Sequence, residues 1–184
     1  MSWSKTDFEN VWVYEPMIYG DERGYFFESF HKKNCPEEIK NIEFIQDNEA
    51  KSSRGVLRGL HYQLPPFSQS KLVRAVVGEI LDIIIDIRPG SVTFGKSFSI
   101  ILSESNKKQL FVPKGFAHGY VVLSDVAIFS YKCDNYYHPE AEAGLRYNDL
   151  KLQINWMIGE SEMILSPRDK DWPDFEFHKK FTYD

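Results

Sequence analysis

The sequence predicts an all-β fold, a sandwich or barrel, on three observations. Apolar residues recur with period two more than with the helical period, runs of strand length follow at short intervals, and turn residues separate them. The clearest stretch is 71–88. In KLVRAVV, Lys71, Val73, Ala75 and Val77 share one face and Leu72, Arg74 and Val76 the other, because side chains alternate along a strand. Gly78-Glu79 reads as a tight turn. In ILDIIIDIR, Leu81, Ile83, Ile85 and Ile87 form a wholly apolar face, and Asp82, Ile84, Asp86 and Arg88 a face with charges on it. Such a strand is expected to sit in a core on one side and to line a polar cavity on the other.

Further strands are predicted over 97–102, 109–112, 119–123 and 126–133. Between them lie Arg88-Pro89-Gly90, Ser103 to Asn106 and Pro113-Lys114-Gly115, all turn chemistry. Helical patterning is limited to short pieces at 31–41 and near 148–152. The first 18 residues alternate loosely through Val11, Val13 and Tyr14, as an added edge strand does. The tail from Ser166 holds Trp172, Phe175, Phe177 and Phe181, and is expected to pack back over the barrel. No repeat or linker interrupts the 184 residues, so 1–184 reads as one domain, long enough to bury a core without disulfides or metal.

Acidic and basic residues are interspersed, with a net charge of -5 and no basic run. That balance argues against a nucleic-acid footprint and against attraction to an anionic membrane. A small molecule is the default partner. No window approaches the roughly 18 unbroken apolar residues of a membrane span, and MSWSKTDFEN lacks the apolar stretch of a signal peptide, so a cytoplasmic protein is expected. Cys35 and Cys133 are too few for a disulfide framework and too far apart for a CxxC site; free thiols are expected.

Six segments mix glycine, charge and aromatics in ways a plain strand does not. They are GDERGYFFESF (20–30), FIQDNEAKSSRGVLRGLHYQ (44–63), the strand pair from Lys71, VPKGFAHGYV (112–121), YKCDNYYHPEAEAGLRYND (131–149) and LSPRDKDWP (165–173). In this order and near this spacing, they resemble the dTDP-4-dehydrorhamnose 3,5-epimerase family from about Glu15 to Pro173. The resemblance implies an RmlC-like cupin jelly-roll barrel, a nucleotide-linked 4-keto sugar as substrate, no cofactor and no metal. It also implies a homodimer in which an N-terminal strand crosses to the partner. Two positions depart from the family pattern: Arg168 stands where lysine is common and Leu150 where proline is usual. The first bears on phosphate or sugar contacts, because arginine and lysine are not interchangeable.

Taken alone, His61 is a strand-end histidine or a base, and imidazole, titrating at about 6.5, suits proton abstraction near neutrality. The resemblance makes it the base. Asp169, between Arg168 and Lys170, reads by itself as a surface charge; by resemblance it is the partner that fixes the tautomer of His61. Lys71 would hold the oxygen of the ketone as it becomes enolate-like, and otherwise reads as a solvated strand-start lysine. Tyr131 shares a mostly apolar, inward face with Ala127, Phe129 and Cys133, where its hydroxyl needs a partner; by resemblance it is the acid. His118 is a sugar contact, a support for such a contact, or a turn histidine.

The remaining contacts follow from the resemblance. Arg23, Arg58 and Arg168 would hold the diphosphate, Phe26 and Tyr136 would sandwich the pyrimidine, and Glu28, Gln46, Asn48 and Glu142 would bind sugar or base. Read alone, residues 21–23 are a charged turn and Glu142 a member of a glutamate-rich loop. A metal-dependent cupin wants closely spaced histidine and carboxylate ligands, whereas His31, His61, His118, His138 and His178 are dispersed. A non-catalytic sugar-binding module, an epimerase acting at C3 or C5 alone and a ketoisomerase are three further functions the same barrel could serve, since a fold does not fix a function.

Overall fold

The computed structural model describes residues 2–182. Thirteen strands are β1 (Ser2–Lys5), β2 (Trp12–Glu15), β3 (Tyr19–Asp21), β4 (Gly24–Phe26), β5 (Gln46–Ser53), β6 (Leu57–Gln63), β7 (Lys71–Val77), β8 (Glu79–Asp86), β9 (Ser97–Ser103), β10 (Gln109–Val112), β11 (Phe116–Val122), β12 (Val126–Cys133) and β13 (Glu142–Gly144). A six-stranded sheet in the order β1-β2-β10-β7-β12-β5 packs as a jelly roll against a five-stranded sheet in the order β13-β6-β11-β8-β9. The β3–β4 hairpin stands apart from both. Helix is confined to single turns, chiefly α1 (Glu37–Lys40) and α2 (Pro167–Lys170). The expected helical piece near 148–152 is a turn instead. There Asp149 is buried and accepts from the Lys151 and Phe175 amides, which ties the turn to the tail rather than winding it into a helix.

Three apolar clusters explain the alternation. Between the sheets lie Val73, Ala75, Ile80, Ile84, Leu110, Phe116 and Phe129. The apolar face of β8 points the other way: Leu81, Ile83, Ile85 and Ile87 pack outside the five-stranded sheet against Leu145, Leu152, Trp156 and Phe181. Phe181 is buried, whereas Phe177 is exposed. Leu72 and Phe111 form the outer face of the other sheet and are covered by Cys35 and Ile39. At the N-terminus, β1 pairs with β2 and β2 with β10, so this segment extends the chain's own sheet.

The charged face of β8 divides in two. Asp82 lies at the cavity described below, but Asp86 and Arg88 form a buried knot at the turn that follows. Asp86 accepts from Arg88 Nε at 2.9 Å and Nη2 at 2.7 Å, and from the Ser91 and Thr93 hydroxyls at 2.6 Å each. Burial opposes its charge, yet these donors outweigh it and hold the carboxyl below the ordinary range. Removing one partner from a buried pair of this kind costs about 3–5 kcal/mol, since the other charge stays behind.

Candidate active site

A cavity of about 470 Å³ opens between β6 and β11 of one sheet and β5, β7 and β12 of the other. Its geometry begins with two glycines. Gly59 has φ +136°, and a Cβ there would lie 2.5 Å from the Gly119 Cα, so β6 and β11 meet backbone to backbone. The register shifts at that point, setting His61 opposite His118 and Arg58 opposite Tyr120. All four side chains line the cavity.

Asp169 reaches His61 from the tail. Ser166 caps α2 by accepting from the Asp169 amide, and Pro167 takes the first helical position, where no N–H is missed. The tail is held in place by Trp172, which lies on the backbone of Gly144; a Cβ at that glycine would sit 2.5 Å from the indole. Gly144 in turn pairs with His61. The result is a contact of 2.5 Å between His61 Nε2 and Asp169 Oδ1. Burial would raise the Asp169 carboxyl, but its bond and charge interaction with His61, helped by Ser166 and Trp172, hold it below the usual carboxylate range. Nδ1 of His61 is the nitrogen left to exchange a proton.

A second histidine–carboxylate pair stands beside the first. His118 Nε2 lies 2.9 and 3.0 Å from the two oxygens of Asp82, which is completely buried. Burial pushes the Asp82 carboxyl up, against the pull of His118 and Lys71. Burial likewise pushes the Lys71 ammonium down, opposed by Cys133, Asp82 and Glu142. Lys71 Nζ is 5.8 Å from the centre of the Tyr131 ring. The Tyr131 phenol is pushed up to about 12, first by burial and then by Cys133 and Tyr120, with Arg58 acting the other way. It is therefore fully protonated at neutral pH.

The other expected contacts separate into two groups. Gln46, Asn48, Arg58, Glu142 and Arg168 line the cavity with the catalytic candidates. Gln46 donates to Asn48 at 3.0 Å, and Arg168 Nη1 pairs with Glu142 at 2.5 Å. Arg23, Phe26, Glu28 and Tyr136 do not line it. Arg23 binds Asp21 within the β3–β4 turn, Phe26 is 66% exposed, Tyr136 is 60% exposed, and Glu28 is near His31 at 4.0 Å. The aromatic wall expected of Tyr136 is supplied by its neighbour Tyr137, whose hydroxyl donates to Glu142 at 2.8 Å. Sequence reasoning missed Gln63, Gln69 and Tyr120 in the lining, whereas Asp82, on the face expected to line a polar cavity, stands behind it on His118. Tyr120 follows His118 with the strand period of two, which is signal enough to place it inward.

Among the described residues, no group of three or more His, Cys, Asp or Glu side chains is placed to hold a metal ion. No helix among them is long and apolar enough to cross a membrane. What the cavity offers is proton movement: a carboxylate-paired imidazole, a protonated phenol and an ammonium group converge on space for one polar small molecule. That defines a jelly-roll enzyme of acid–base, isomerase type. The family model described as dTDP-4-dehydrorhamnose 3,5-epimerase matches residues 5–176, and the chain belongs to that family. The enzyme of that name from Escherichia coli K12 is 49% identical over 168 residues, covering 90% of each chain. The crystal structure of the Elizabethkingia anophelis NUHP1 enzyme superposes with a TM-score of 0.90 at 47% identity, covering 96% of this chain and 97% of that one. The RmlC enzyme of Legionella pneumophila Philadelphia 1, in complex with dTDP-4-keto-L-rhamnose, has a TM-score of 0.91 at 44% identity, covering 99% of both chains.

Proposed function

We propose that this chain inverts C3 and C5 of dTDP-4-dehydro-6-deoxy-glucose to give dTDP-4-dehydro-rhamnose. The observation that carries the reading is the convergence of the His61–Asp169 pair, Lys71 and Tyr131 on one cavity, in a chain whose relatives bear that activity in their names. The 4-ketone of the substrate acidifies the C–H bonds on either side. His61 Nδ1 removes one of these protons; the electron pair moves into the ring and onto the ketone oxygen, which Lys71 stabilises. Tyr131 then gives its proton to the same carbon from the opposite face, and the ketone reforms. Asp169 balances the imidazolium while it lasts. Charge developing on the oxygen favours the cationic form of Lys71, which burial alone opposes. The carbonyl supplies all the activation, so the reaction needs no metal and no redox cofactor.

Incubation with dTDP-4-keto-6-deoxy-glucose in heavy water, followed by NMR, tests this. Deuterium is expected at both C3 and C5 with both centres inverted. Label and inversion at one centre alone would make the chain a mono-epimerase, a relocated carbonyl a ketoisomerase, and no exchange at all a binding module.

The dimer belongs to the same proposal. The β3–β4 hairpin is exposed along its length, and Met17, Ile18, Tyr19, Tyr25 and Phe26 lie exposed in and beside it. Apolar groups exposed together mark an interaction surface. In a two-fold dimer this hairpin would carry Arg23, Phe26 or Glu28 to the partner's cavity, with Phe26 opposite Tyr137 across the pyrimidine. Sedimentation should find a dimer; a fully active monomer would remove the shared site. Both cysteines are free and buried, which suits the reducing cytoplasm proposed as its compartment.

A further inference from the structure

Between Cys133, the last residue of β12, and Glu142, the first of β13, the backbone belongs to neither sheet. Peptide groups without a ladder must find their hydrogen bonds elsewhere. Three glutamines of the cavity lining supply them. Gln69 Nε2 donates to the Asn135 carbonyl at 2.7 Å and Gln63 Nε2 to the Tyr136 carbonyl at 3.1 Å. The Tyr137 amide donates to Gln46 Oε1 at 3.2 Å, and the His138 amide to Gln63 Oε1 at 2.6 Å. Four consecutive residues are thus held by side chains, two of them by Gln63. That residue also donates to the Phe67 carbonyl at 2.6 Å, and the Phe67 ring stacks on His138 with centres 3.6 Å apart. Gln63 is 6% exposed and stands on β6 with the strand period of two from His61. It is a fixed strut between the strand that carries the base and the irregular segment. What the strut carries is Tyr137, a lining residue whose peptide neighbours on both sides, the Tyr136 carbonyl and the His138 amide, end on the same glutamine.

We propose that Gln63 is a positioning residue for nucleotide binding: by fixing the peptide groups on either side of Tyr137, it holds that ring where the pyrimidine stacks. This rests on the nucleotide-sugar reading above. Both amide hydrogens of Gln63 and one lone pair of its oxygen are already taken, so its effect on the ligand passes through Tyr137. The Tyr137 ring is 48% exposed, with its hydroxyl tied to Glu142, which leaves a flat face open to a planar base. A base should therefore feel the loss of Gln63, and a diphosphate alone should not.

The test is calorimetric titration of the full-length wild type, Gln63→Met, Tyr137→Ala and the double variant with dTDP and with inorganic pyrophosphate. Methionine keeps the length of the side chain and removes its hydrogen bonds. Affinity of Gln63→Met for dTDP is expected to fall about tenfold, within the range that stacking of a base on an aromatic ring supplies. Affinity for pyrophosphate should stay within about twofold. In turnover of the nucleotide sugar, KM should rise with the dTDP dissociation constant while kcat falls less than about threefold, because the base lies away from the reacting carbons. Tyr137→Ala should lose at least as much dTDP affinity, and adding Gln63→Met to it should cost nothing further, since two residues acting through one contact are not additive. Should Gln63→Met not fold, Gln69→Met removes the bond to Asn135 alone, and about a threefold loss that vanishes beside Tyr137→Ala is expected. Equal weakening of dTDP and pyrophosphate, full additivity in the double variant, or unchanged dTDP affinity in Gln63→Met would each overturn the positioning role. If the wild type does not bind dTDP, the nucleotide-sugar reading itself fails and takes the proposal with it, an outcome distinct from the other three.

Discussion

Replacing His61 with alanine is expected to abolish both solvent deuterium exchange and epimerised product, lowering turnover by at least the roughly 10²- to 10⁴-fold that general acid–base groups typically supply. Among the described residues, the one carboxylate in the cavity lining besides Asp169 is Glu142, which is paired with Arg168 and accepts from Tyr137. Asp169 is buried behind His61 and ionised, and Lys71 and Tyr131 are needed in their protonated forms. His118 pairs through Nε2 with Asp82 much as His61 does with Asp169, but its side chain is 7% exposed against 23% for His61, so it is the less accessible of the two. Without a base no enolate forms, so exchange at C3 and C5 must vanish together with inversion. Residual exchange at the wild-type rate would mean that another group removes the proton. The pH profile gives an independent check. Asp169 stays ionised below the ordinary carboxylate range, so a loss of rate through that carboxylate is expected only once the pH falls below that range. Linkage runs the same way: the lowered Asp169 value contributes stability at neutral pH that is lost only as pH falls through it.

Much of this arrangement was visible in the residues, and what was hidden has physical causes. Strands β7, β8, β10 and β12 follow from alternation, because each buries one face at least in part against an apolar layer. Strand β5 does not: QDNEAKSS has a single apolar residue, since its inward face lines a polar cavity instead of a core. The period-two rule detects burial against hydrocarbon, so it fails where a strand is most functional. The same limit governs Asp82 and Asp86. They share a face of β8, yet one supports a cavity histidine and the other closes a turn, a difference set by residues far away in sequence. Tyr136 and Tyr137 lie in an irregular segment with no period to say which points inward; Tyr137 lines the cavity and Tyr136 is exposed. Asp169 could be found only by resemblance, because its partner lies 108 residues away and the link depends on a one-turn helix and an indole resting on a glycine.

Tyr131→Phe should fail in a different way from His61→Ala, and that contrast is what assigns the two roles. Inverting a carbon requires two groups on opposite faces, because one group that took a proton and returned it would restore the starting configuration. Phenylalanine keeps the ring beside Phe129, whose centroid lies 5.5 Å away, so the strand and its packing should survive. What it loses is a proton held on a phenol pushed up to about 12. That value keeps the acid loaded throughout the neutral range, and its own loss of function would come only as pH rises through about 12. In the variant, His61 still removes the proton and Lys71 still holds the enolate. The imidazolium then exchanges its proton with solvent and returns deuterium to the original face. Deuterium should therefore enter the unconverted sugar while epimerised product falls by about 10²-fold or more, the lower end of what a positioned acid supplies. NMR of substrate and product from one heavy-water incubation measures both quantities. Epimerisation at the wild-type rate would place the acid on another residue or on water, even if the His61 variant behaves as expected.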